Sequence, residues 1–168
     1  MTIVAAPSVS VFFHEAVEGA MKSRGIQATE GATTYLVSLL ADFAKPGALA
    51  EETLDRPLVF LLDEALNTTQ LAERFERLRT LGDGVLYSSG FFGDHFEKRG
   101  VDQSYLIGIG QQAYSSASSM LRISAAEEPK FDIYGELAEK FAAFVSIITE
   151  VAHRTIASGV ASSKQVLR

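Results

Sequence analysis

Apolar residues recur every three to four positions along most of this chain, and the interruptions fall at capping residues and glycines. Val9, Phe13, Ala16, Val17, Ala20 and Met21 predict a first helix. Lys22 and Arg24 suit its C-terminus, and Gly25 ends it. Thr29 is placed to cap a second helix with a Leu36, Leu39, Leu40 and Phe43 stripe, stopped by Pro46-Gly47. A charged linker, Glu51 to Asp55, follows. Asp55 is the expected N-cap of the next helix and Pro57 fits its first turn. The run PLVFLL also suits a buried strand, but leucine outnumbers β-branched residues there, so Leu58, Leu61, Leu62, Ala65 and Leu66 are read as one helical face.

Asn67 and Gln70 resemble a capping box before a helix that turns Leu71, Phe75 and Leu78 inward. That helix is expected to break at Gly82-Asp83-Gly84 and to restart near Asp83, running to Arg99. Gly90 and Gly93 inside it are costly in a helix, which points to close backbone approach or a kink. Gly100 fits a helix C-terminus, and Asp102 the cap of the next helix, with Val101 stapled onto Leu106. Gly110, Ala113, Ala117 and the neighbouring Ser116 give that helix a face of small residues. After the linker Glu127-Glu128-Pro129, Asp132 caps the last long helix. Tyr134, Leu137, Phe141, Phe144, Ile148 and Val151 form a stripe roughly seven residues in period, widened by Ile147. The pattern predicts an all-α helical bundle of about six helices in one domain, 1–168, with 1–8 and 158–168 as loose ends. Its centre is a tightly packed helical hairpin, Val85 to Arg99 against Asp102 to Ile123.

Composition narrows the function classes. Hydrophobic residues make up 47% of the 168, enough for a core without staples. With no cysteine, disulfides, thiolate catalysis and cysteine-ligated zinc are excluded, and a cytoplasmic location is expected. MTIVAAPSVSVFF has no basic n-region, so no signal peptide is expected. The apolar run from Phe141 to Val151 is too short to span a bilayer and is interrupted by Glu150. A net charge of −6 argues against a nucleic-acid partner. Arg74, Arg77 and Arg79 interleave with Glu73 and Glu76, the pattern of a salt-bridged solvent face.

Candidate chemistry is sparse. Asp83, Tyr87, Asp94, His95 and Tyr105 are the main polar concentration near the glycine-bearing segment, and they are read as a speculative ligand-binding group. The plainer reading makes each a rim residue with one hydrogen bond. Glu150 and His153 form an E-x-x-H step that His14 would have to complete as a metal site. Di-metal bundles need two such steps and two further glutamates. Gly108-Ile-Gly110-Gln-Gln-Ala113 matches G-x-G-x-x-A, but the motif means dinucleotide binding only after a strand and within βα units. Nothing else selects a catalytic set, and no cofactor is expected.

Leu81-Gly82-Asp83, Ser89-Gly90-Phe91-Phe92, Arg99-Gly100-Val101, Tyr105 and Gly108 to Tyr114 together resemble a family of bacterial all-helical proteins. That family shares an LGD…SGFF…RGV…Y…AY arrangement. The resemblance implies helix around Gly108 and brings no activity or site residue with it. The functional expectation is a non-catalytic interaction or regulatory protein, self-associating through its last helix. The alternative is a small-molecule-binding bundle with an apolar ligand near Tyr87, His95 and Tyr105. The third reading is a carboxylate/histidine metalloprotein.

Overall fold

A computed structural model describes residues 8–45, 57–124 and 131–166. The described residues form eight helices and no strand: α1 (Val9–Arg24), α2 (Glu30–Phe43), α3 (Leu58–Leu66), α4 (Leu71–Phe91), α5 (Gly93–Lys98), α6 (Gln103–Ser124), α7 (Ile133–Glu139) and α8 (Phe141–Val166). The all-α expectation holds, with more helices than the six predicted: the last expected helix is divided at Lys140, and the expected break in the middle of the chain moves from Gly82–Gly84 to Phe92. None of these helices is long and apolar enough to cross a membrane. Pro46-Gly47, Glu51 to Asp55 and Glu127 to Pro129 lie outside the described residues.

In the first third Gly25 and Thr29 act as read, whereas the cap of α1 is Ser8, within the expected loose end, and the N-cap of α3 is Pro57 where Asp55 was expected. Ser8 caps α1 through its Oγ, which accepts from Val11 N at 3.3 Å, and Gly25 ends the helix in the left-handed region at φ 64°. Thr29 caps α2, its Oγ1 accepting from Ala32 N at 3.2 Å. The α3 segment is helical, as its leucines predict, with Pro57 in the N-cap position. Asn67 and Gln70, however, make no capping box. The Asn67 amide instead closes the C-terminus of α3, donating to Asp63 O at 2.9 Å and Oδ1 at 3.0 Å, and Gln70 makes no side-chain cap. Two residues suit an N-cap and a C-cap equally here, and the nearer partner takes the amide.

α4 is the hub, touching α2, α3, α5, α6 and α8. It runs unbroken through Gly82-Asp83-Gly84 and stops at Phe92 instead. The reason is packing. The Tyr114 ring of α6 lies so close over Gly82 that a Cβ there would sit 2.6 Å from Cε1. About two turns further on, Ile148 of α8 presses on Gly90 in the same way. These glycines admit neighbouring helices instead of ending their own. The predicted tight contact between the two middle helices therefore exists, but the thin side belongs to α4 and the ring to α6. Gly110 of α6 faces Phe141 of α8 instead.

The last predicted helix is split at Lys140 into α7 and α8. Asp132 caps α7, accepting from Gly135 N at 2.9 Å. Its carboxylate also takes the Ser118 hydroxyl at 2.8 Å and pairs with Arg122, which ties α7 to α6. Glu136 ties α7 to α2, accepting from Thr29 N at 2.9 Å and Thr29 Oγ1 at 2.5 Å. Leu137, Phe141, Phe144, Ile148 and Val151 are fully buried beside Leu36, Leu40, Leu78 and Leu86.

Candidate functional site

One mostly buried acid, Asp83, stands where α2, α4 and α6 meet. Asp83 projects from α4 next to Gly82, where the close approach of α6 brings Tyr114 to it. Tyr114 Oη donates to Asp83 Oδ1 at 2.7 Å, and Tyr35 Oη of α2 donates to the same oxygen at 2.6 Å. Arg79, one turn earlier on α4, donates to Oδ2 at 3.1 Å and reaches Glu76 at 2.6 Å. Tyr134 of α7 sets its ring edge-on against Tyr35 (centroids 5.5 Å apart) and tilted against Tyr114 (5.9 Å).

Burial dominates the electrostatics of this knot. It pushes the Asp83 carboxyl above its ordinary value, although both phenols and Arg79 pull the other way. Burial, then the Asp83 charge, push Tyr35 and Tyr114 well above the ordinary tyrosine value, so both remain protonated donors. Each Asp83 oxygen is already engaged by a donor. The arrangement holds three helices in register, with three donors on the one carboxylate. The sequence singles out Asp83 but misses Tyr35, Tyr114, Tyr134 and Arg79. A signal was present: buried tyrosines need an acceptor for their hydroxyls, and few acids stand on otherwise apolar faces.

The other predicted residues fall into separate surroundings. Tyr87 is buried in an aromatic stack, its ring 4.6 Å from both Phe43 and Phe91. Tyr105 is exposed, and its hydroxyl accepts from Val59 N at 3.2 Å, capping α3, which has no side-chain cap of its own. Asp94 and His95 stand exposed on α5. Because α4 ends at Phe92, Tyr87, Gly90 and Asp94 do not share one helical face. The three residues of the metal reading occupy different partners. His14 pairs with Glu18 at 3.0 Å, Glu150 accepts from the Ser23 hydroxyl at 3.2 Å, and His153 is exposed. Among the described residues no three His, Asp or Glu side chains group to hold a metal ion. Gly108, Gly110 and Ala113 lie inside α6, with no preceding strand; of the two glycines, Gly110 packs against Phe141 and Gly108 faces open space.

A cavity of about 470 Å³ opens where α4 ends, bounded by α5, the start of α6 and α8. Its polar lining comes from Ser89, Asp94, Glu97, Asp102, Gln103 and Thr149, and its apolar wall includes Phe96, Val101 and Leu106. Ser89 is 1% exposed, and its Oγ has no hydrogen-bond partner. Thr149 Oγ1 donates to Val145 O at 2.9 Å, so that hydroxyl proton is used. Asp102 Oδ1 caps α6 by accepting from Ser104 N at 2.9 Å. No basic side chain lines the cavity. The glycine break at Phe92-Gly93 creates this space, since it turns α5 away from the axis of α4. Of the five predicted ligand residues, only Asp94 lines it.

No family model, no curated protein and no solved structure matches this chain.

Proposed function

We propose that this chain is a non-catalytic binding bundle whose ligand is a small molecule held in the cavity between α4, α5, α6 and α8. One observation carries the reading: the cavity where α4 ends, about 470 Å³, joins polar side chains of α4, α5, α6 and α8 to an apolar wall. The volume falls in the range of ordinary ligand sites, roughly 300–1,000 Å³. Binding is favoured over catalysis because Asp83, the carboxyl that burial raises, has both oxygens engaged by Tyr35, Tyr114 and Arg79. A cytoplasmic setting belongs to the same reading.

A thermal-shift screen of small anions, neutral molecules and cations tests it, repeated with Gln103→Trp, which fills the mouth. A ligand that raises Tm in the native chain and not in the variant supports the site. No stabilising compound in any charge class, or a shift unchanged by the variant, removes it.

Self-association remains the second reading, on different ground. The stripe of Leu137, Phe141, Phe144, Ile148 and Val151 is core, so it is committed within one chain. What favours pairing is Leu71 and Ile123, 64% and 85% exposed at the edge of an apolar groove between α4 and α6. Light scattering across a concentration series decides it, and a monomer mass throughout rules it out.

A further inference from the structure

We infer that α5 is a flap: it swings between two glycine hinges and opens and closes the cavity beneath it. Its service as a ligand gate rests on the small-molecule reading above, whereas the motion belongs to the chain alone. Two short helices of this bundle are held in opposite ways. α7 is tied at both ends: Asp132 accepts from the Ser118 hydroxyl at 2.8 Å, Glu136 from the Thr29 amide at 2.9 Å, and Lys140 donates to the Gln27 carbonyl at 3.0 Å. α5 has no buried residue and no side-chain cap. Among the described residues, no side-chain hydrogen bond, ion pair or ring contact joins it to another helix. Its hold on the core is apolar, through the half-buried Phe96 and, just beyond its end, Val101. A helix this short does not persist by itself in water. A segment with few buried apolar contacts and no polar clasp comes from the low-stability end of a fold.

Both ends of α5 carry a glycine that packing does not require. Phe92, at φ −117° and ψ 22°, interrupts the helix before Gly93, and a Cβ on Gly93 would meet nothing within 4 Å. Gly100 turns the chain at φ 75° and also faces open space. Gly82 and Gly90 admit a neighbouring side chain, but these two leave the backbone free to turn. The cavity lies between this segment and the body of the bundle. α5 supplies Asp94, Phe96 and Glu97, and the body supplies Ser89, Leu106 and Thr149. A swing of α5 therefore changes the cavity and leaves the packing of α4, α6 and α8 in place. Two backbone bonds cross the hinges and open with the swing: Phe96 N to Phe92 O at 3.1 Å and Val101 N to Phe96 O at 2.9 Å.

Hydrogen exchange of the full, ligand-free chain, followed by NMR, tests the motion. The Phe96 and Val101 amides should be protected roughly 100-fold less than the core amides of α4 and α6. Their exchange should also respond little to low denaturant, because the opening exposes little surface. Alkylation tests the gate. The chain has no cysteine, so Leu106→Cys places a single thiol on the cavity wall, where Leu106 is 3% exposed. Its reaction with iodoacetamide should run about tenfold faster when Phe96→Ala is added, with little change in Tm, because losing the apolar anchor shifts the population toward the open form. Gly93→Ala, which meets no neighbour, should slow it by stiffening the hinge. If α4, α5 and α6 amides exchange together and only with global unfolding, the flap is overturned and the cavity stands as a fixed ligand site. If α5 exchanges early but Phe96→Ala leaves the thiol rate unmoved, the gate is overturned. If both results come out as expected and the ligand screen fails, the flap stands and the small-molecule reading falls.

Discussion

The Tyr114 hydroxyl donates to Asp83 at 2.7 Å while the Tyr114 ring covers Gly82, the residue before it. One side chain therefore makes a polar and a steric contact on consecutive positions of α4. Removing Cβ at position 82 brings the ring near enough for the hydroxyl to reach the carboxylate. The two halves of this contact fail separately under substitution.

Tyr114→Phe removes one donor and keeps the ring. It should cost about 1–3 kcal/mol in urea unfolding, the usual loss when a buried acceptor loses a partner. Tyr35→Phe should cost a similar amount. The double variant should not be additive, because both hydroxyls serve the same Asp83 oxygen.

Gly82→Ala should lower Tm, although alanine is the better helix former by about 1 kcal/mol, because its Cβ would meet the Tyr114 ring at 2.6 Å. Gly84→Ala, two positions on, has open space around it. It should raise Tm by the propensity gain of roughly 0.5–1 kcal/mol. Equal shifts in both variants would contradict the packing described for α4.

The pH profile should fall at both ends. Tyr35, Tyr114 and Tyr134 have raised values in the folded chain, chiefly from burial. They therefore contribute stability that is fully present below the ordinary tyrosine value of 10.0 and is lost as pH rises beyond it. On the acid side burial works against Asp132 and Glu136. The Gly135 amide, Ser118 and Arg122 hold Asp132 below its ordinary value, and Thr29 and Lys140 do the same for Glu136. Their contribution is present above the usual carboxylate range and lost as pH falls through their lowered values. Asp83, raised by burial, has the opposite sign: its contribution is present at low pH and lost as pH rises through its raised value. Tm measured from acid to alkaline pH checks the shape, and Glu136→Gln should flatten the acid limb.

Tyr105→Phe should leave global stability nearly unchanged and accelerate hydrogen exchange at the Val59 amide. That amide donates to the Tyr105 hydroxyl, and α3 has no other side-chain cap.

Helix stripes and caps were the legible part of this chain. Ser8 aside, the caps at Thr29, Asp102 and Asp132 were readable because each is a local event within a few residues. The break in α4 was misplaced because glycine has two uses. Gly82 and Gly84 look alike in sequence, and only the partner helix distinguishes a packed glycine from an open one. The Asp83 knot was half visible: the acid stood out, but its phenols come from α2 and α6, far apart in sequence. The cavity was not legible beyond Asp94, since its lining comes from four helices that only the fold brings together.

Glu136 holds the Thr29 amide across 107 positions of chain. That clasp gives assembly an order. When the α1–α2 hairpin leaves the ribosome it has its own caps, but the residue that secures the start of α2 has not yet been made. The N-terminal hairpin should therefore settle only after α7 emerges, and a nascent chain cut before Asp132 would present an α2 whose first turn protects its amides poorly.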